Sequence, residues 1–62
     1  RPAEIRAIYE DPERTLALME KYNATLLYVG EPEHERYDVR LPDRGLWLIY
    51  DEGGVRVYER IG

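Results

Sequence analysis

The apolar positions of this chain change their period along its length, and each change marks an element. Ile5, Ile8 and Tyr9 fall at i, i+3 and i+4 behind Pro2, a residue suited to a first helical position. A short amphipathic helix over Pro2 to Tyr9 follows, too short to be stable unless it docks. Asp11-Pro12-Glu13 then gives a start signal: an N-capping acid, a proline for the first turn, and an acid at the positive end of the helix dipole. Behind it Thr15, Leu16, Leu18, Met19 and Tyr22 share one arc of a helical wheel. Glu13, Arg14, Ala17, Glu20 and Lys21 share the other. The second helix is therefore expected over Pro12 to Tyr22, closed by Asn23, which tolerates the left-handed conformation.

The period then shortens. Ala24 to Val29 is a continuous run of β-formers stopped by Gly30, a buried strand. Leu46 to Tyr50 and Val55 to Ile61 are two further strands, joined by Asp51-Glu52-Gly53-Gly54, where the glycines supply the positive φ of a tight hairpin. In the last strand Val55, Val57 and Ile61 alternate with Arg56, Tyr58 and Arg60. In the strand before it, Trp47 and Ile49 face one way and Leu46, Leu48 and Tyr50 the other. That strand is apolar on both faces, so either both are covered or one awaits a partner. Glu31 to Arg44 is polar with two prolines. A helical turn from Pro32 to Tyr37 is the preferred reading there, an edge strand from Tyr37 to Leu41 the alternative. The fold class is α+β: a small three-stranded mixed sheet, two N-terminal helices packed on one face, and a C-terminal β-hairpin. Ala24 to Val29 is placed beside the last strand. The expected core is Ile5, Ile8, Leu16, Met19, Leu26, Leu27, Val29, Trp47, Ile49, Val55 and Val57.

Composition narrows the chemistry. Sixty-two residues make a single domain, 1–62, with a small core. There is no Cys and one His, so neither a disulfide nor a Cys/His zinc site supports it. Serine is also absent, which removes Ser-His-Asp and Cys-His catalysis. Thirteen acids against nine scattered bases give a net charge of -4, a poor match for nucleic acid. No apolar run is long enough to cross a membrane. The chain starts at Arg1, which reads as a piece of a longer protein, although processing also removes an initiating Met.

Glu31, Glu33, His34, Glu35 and Asp38 gather acids around the sole histidine. Hard divalent cations take such carboxylates. A solvated loop balanced by Arg36 and Arg40 is the preferred reading, and the glycine-bearing calcium loop is missing. No metal and no cofactor is therefore expected. Gly30-Glu31-Pro32-Glu33 and Gly53-Gly54 lack the Lys-Ser/Thr of a phosphate loop and read as turns. Six tyrosines and one tryptophan, with no Phe, give every ring a polar tip, suited to half-buried positions and binding surfaces. Arg56, Tyr58 and Arg60 form a candidate stacked face on the last strand.

One resemblance spans nearly the whole chain. It runs from the initial Arg through Ile5, Ile8-Tyr9, a Leu/Met helix and Lys21-Tyr22-Asn23 into Leu27-Tyr28-Val29-Gly30. It continues through Glu33 and Tyr37 and closes on Val55-Arg56-Val57-Tyr58-Glu59-Arg60. This resembles the C-terminal soluble tail of the YYY family of archaeal and bacterial polytopic membrane proteins, a group of unknown function. That family is in turn similar to GT-C type membrane glycosyltransferases using lipid-linked sugars. The family tail reads K-Y-x-V, Y-V-Y-V-G, then E-R, then Y, then a hairpin ending I-Y-R-V. Lys21 and Tyr22 match its K-Y; Tyr28, Val29 and Gly30 its strand end; Glu33 its E; Tyr37 its later Y. His34 stands where the family has Arg, and Ala24-Thr25 replaces its valine-type entry.

The resemblance implies a non-catalytic extramembrane accessory domain on the extracytoplasmic side, since the family's catalytic acids lie near the start of its membrane part. The implied partners are the transmembrane part of the same protein and a glycan or lipid-linked-sugar acceptor. Glu33, His34, Tyr37, Tyr28 and Gly30 are the candidate binding positions. The alternative is a free-standing interaction module, homodimeric through a strand edge.

Overall fold

The computed structural model describes residues 2–61; Arg1, the start of the resemblance, lies outside them. The order is α1 (Pro2–Glu10), α2 (Thr15–Lys21), β1 (Leu26–Val29), α3 (Glu31–Arg36), β2 (Leu46–Glu52) and β3 (Val55–Arg60). The class is α+β, as the periodicity implies. The strands form one open sheet in the order β1-β3-β2, so β1 does lie beside the last strand.

The sheet is antiparallel throughout rather than mixed. A hairpin makes β2 and β3 antiparallel. The connection through α3 then brings β1 to the far edge of β3, also antiparallel, with Leu27 opposite Tyr58 and Val29 opposite Arg56. The hairpin turn is tighter than expected. Strand pairing continues to Glu52 opposite Val55, leaving only Gly53 (φ 61°) and Gly54 (φ 79°) in the turn. Two positive φ values in succession give the primed turn whose twist suits a two-residue hairpin.

The second helix starts later than Pro12. Asp11 caps the turn that leads into α2 and not α2 itself, whose N-cap is Arg14 without a side-chain bond: the Asp11 Oδ1 accepts from the Glu13 N–H at 3.1 Å, and its carbonyl accepts from the Arg14 and Thr15 N–H groups. Residues 12–14 form a turn, and regular α2 begins at Thr15. At the other end Asn23 adopts φ 57°. The Ala24 N–H then reaches Met19 O at 2.7 Å and the Asn23 N–H reaches Glu20 O at 3.0 Å, a Schellman closure. The polar stretch contains a third helix, α3, overlapping the helical turn preferred from sequence; Tyr37 to Leu41 is not a strand.

The core lies between the helices and one face of the sheet. Met19, Leu27 and Val29 are its centre, with Ile8, Tyr9, Ala24, Val39, Leu41, Leu46 and Tyr58 packed around them. Thr15 is fully buried; its Oγ1 lies 2.7 Å from Ile8 O and 3.1 Å from Asp11 O, joining the end of α1 to the start of α2. Four expected core residues are instead exposed: Ile5, Leu26, Trp47 and Ile49. For Ile5 the cause is the rotation of α1. Glu4 is bound by Lys21 Nζ at 2.8 Å and by the Tyr22 hydroxyl, which turns Ala7 inward in its place. For the other three the cause is that α1 and α2 both cover the same face of the sheet and leave the opposite one open.

Candidate functional site

Cross-strand register defines the open face. Directly opposed residues share a face. Leu26, Glu59 and Trp47 form one row across the three strands, and Tyr28, Val57 and Tyr50 the next; Val55 and Glu52 form a third. The register slips between Leu48 and Tyr50, so Ile49 is a bulge. A bulge sets two residues against one on the partner strand. Here Ile49 and Tyr50 both stand beside Val57. The strict alternation that put Tyr50 with Leu46 and Leu48 is thereby corrected: Tyr50 sits on the open side.

The result is a trough of about 540 Å³ along β3. Val55 and Val57 are its floor; Leu26 and Tyr28 form one wall, Ile49 and Tyr50 the other. Trp47, 63% exposed, and Tyr28, 59% exposed, are the least covered large apolar residues of the described chain. Val57 is buried because taller neighbours flank it. The register places Glu59 and Glu52 on this side, at opposite ends of the trough. The strand bases Arg56 and Arg60 point to the other side.

The five positions singled out from sequence do not converge on one site. Tyr28, Gly30 and Glu33 line a depression of about 450 Å³ at the end of the trough, together with Glu31, Pro32, Gly53 and Val55. Glu33 is committed to its own helix: its Oε1 accepts from the Gly30 N–H at 2.8 Å. Because Gly30 has no side chain, this is the return half of a capping box only. His34 is exposed and lines a smaller hollow with Val29, Val39, Leu41, Arg56 and Tyr58. Tyr37 stacks on Tyr9, centroids 4.9 Å apart and planes 5° from parallel, with the Arg6 guanidinium 5.3 Å from its ring centre. Tyr9 donates to Tyr28 O at 2.9 Å, while its own carbonyl accepts from the Arg40 N–H at 2.7 Å. Glu10 accepts from Arg6 and from the Asp38 N–H at 2.8 Å. These contacts pin the segment after α3 onto α1.

Burial, then the Glu33 carboxylate and Tyr37, push the Tyr9 phenol above its ordinary value. The Lys21 ammonium is raised by its hydrogen bond to Glu4 and by that carboxylate's charge. Arg56 is raised by the Tyr58 hydroxyl, then by Asp51, whose Oδ1 lies 3.5 Å from its Nε. Arg60 Nε donates to Ala24 O at 3.0 Å, so the Arg-Tyr-Arg series of β3 makes structural bonds. Among the described residues no three His, Asp or Glu side chains gather as a metal centre requires, and no helix is long and apolar enough to cross a membrane. No family model, curated protein or solved structure matches the chain.

The sequence left an open face as one of two alternatives, and the expected core, with Trp47 and Ile49 inside, took the other. The signal for the open face was the strand apolar on both sides, Leu46 to Tyr50, taken with helices expected on one face only.

Proposed function

We propose that this chain is a non-catalytic accessory domain of a polytopic membrane protein resembling the lipid-linked-sugar glycosyltransferases, and that it lies against the rest of that protein through the open face of its sheet. The observation that carries this reading is the trough. Leu26, Tyr28, Trp47, Ile49 and Tyr50 are all more than two-fifths exposed on one side of a three-stranded sheet. Strands about 4.8 Å apart and about 20 Å long give that face a footprint on the order of 300 Å². Covering it stabilises by about 7 kcal/mol gross, before the entropy of association is subtracted. The sequence resemblance supplies the identity of the cover, the membrane-embedded part of the same protein. Extracytoplasmic placement and contact with a glycan or lipid-linked-sugar acceptor belong to the same proposal.

The test is made in the intact reading frame, with any native cysteines replaced. Trp47→Cys and Tyr28→Cys report the open face, and Glu20→Cys reports the exposed side of α2. Protection of the first two from a membrane-impermeant maleimide, with Glu20→Cys labelled, is the expected result. Equal labelling of all three ends the docking reading. A frame without apolar spans of about 20 residues ends its membrane part.

A second reading, a homodimer through a strand edge, is favoured by β2. It is seven residues long and bonded to the sheet on one side only. A chain that sediments as a monomer at millimolar concentration rejects it.

A further inference from the structure

We infer that the trough along β3 seats an amphipathic helix whose apolar stripe is bracketed by Lys or Arg. This rests on the docking reading above and names its partner's chemistry. Shape gives the first argument. The floor is two valines and the walls are Leu26 and Tyr28 against Ile49 and Tyr50, so the concavity runs along one strand as a channel. A rod fits a channel, and helix on sheet is the packing already used on the other face. Charge gives the second. Every ionisable strand residue on the open side is an acid, Glu59 near one end and Glu52 near the other, while Arg56 and Arg60 alternate away. Glu31 and Glu33 line the adjoining depression and add to the same sign.

The spacing follows. Residues 55 to 59 span about 13 Å of strand, which corresponds to two to three helical turns. A helix lying in the channel therefore meets an acid at each end if its bases stand at least two turns apart.

Charge and area also argue against a second copy as the occupant. Two such faces together carry acids and no strand base on either side. Face to face they bury on the order of 600 Å², about half of what a stable dimer needs. An anionic membrane surface is repelled by the same acids. A segment tethered within one protein needs less area, because its effective concentration is high.

The test uses the 62-residue chain and two synthetic helical peptides lacking tryptophan. They share one leucine stripe; one is flanked by Lys at both ends, the other by Glu. Trp47 is the sole tryptophan and reports occupancy by a blue shift of its emission. The Lys peptide is expected to bind weakly, with Kd on the order of 100 µM, and the Glu peptide at least tenfold more weakly. Ile49→Glu makes the chain still more acidic yet is expected to cut Lys-peptide binding tenfold or more, because the wall is gone. Glu52→Lys with Glu59→Lys is expected to reverse the preference between the peptides. Circular dichroism of each variant shows that the fold is retained.

Equal binding of both peptides, binding unaffected by Ile49→Glu, or no binding of either overturns the inference. A Trp47 shift with phosphatidylcholine vesicles and with neither peptide overturns it in favour of a lipid surface. A concentration-dependent shift without peptide overturns it in favour of a second copy. The docking reading falls separately, by equal maleimide labelling in the intact protein.

Discussion

Gly45 shows how much one residue can fix in so small a domain. Its φ is +87°, and a Cβ built on it would lie 2.3 Å from Leu16 Cδ1. Its carbonyl also accepts from the Ile61 N–H, closing the start of β2 against the end of β3. Gly53 has a comparable φ, +61°, but open space around it. The pair separates backbone strain from crowding. Gly53→Ala should cost about 1 kcal/mol, the left-handed penalty alone. Gly45→Ala should cost about 2–4 kcal/mol, since Leu16 must also move. Urea unfolding of the two variants measures the difference, and equal losses would show that Leu16 yields freely. Neither the clash nor its partner was visible in the sequence, where Gly45 followed a polar stretch and Leu16 was simply one of an apolar arc.

At the scale of elements, the local signals were legible and the lateral ones were not. Asn23 marked the end of α2 and Asp11 the turn that leads into it, because capping is a matter between neighbours. The glycine pair marked the hairpin for the same reason. Mixed against antiparallel pairing, the rotation of α1 and the bulge at Ile49 depend on contacts between distant segments, and no local pattern encodes them. The Gly30 turn illustrates the divide. Gly30, Glu33, His34 and Tyr37 looked like a cluster because they are close in sequence, but α3 and the stacking on Tyr9 send them to different surroundings. Glu33 is expected to behave as a cap: Glu33→Ala should lower stability by about 1 kcal/mol, and Glu33→Gln, which keeps an acceptor for the Gly30 N–H, by clearly less. Thermal unfolding of the two variants decides it, and identical losses would assign Glu33 another task.

For the whole molecule, the alkaline side of the stability profile carries the mark of Tyr9, with a solvent-screened share from the exposed Lys21. Both are raised above their ordinary values in the folded chain, Tyr9 by burial and Lys21 by its bond to Glu4. Each favours its protonated form when folded, so its contribution is complete below the unfolded value and fades as pH rises through the folded one. Melting temperature should therefore hold through neutral pH and fall above about pH 10. Tyr9→Phe should melt lower at neutral pH, having lost the bond to Tyr28 O, yet decline less steeply in alkali. An unchanged alkaline slope would remove Tyr9 from the account. The class of fold was readable because alternation and helical period report burial. Which of the two alternatives held for the strand apolar on both faces was not, because a residue's hydrophobicity says that it prefers cover and nothing about whether its own chain provides it.

The bulge at Ile49 has a consequence for how the molecule behaves in a crowd. β2 is an apolar edge strand, the kind of element that recruits further strands and grows into fibres. One extra residue interrupts the regular beat of its outward amides and increases its local twist, so a neighbouring strand cannot zip along its full length. The same insertion that gives the trough its second wall thus also confines any strand added at the β2 edge to the stretches on either side of Ile49.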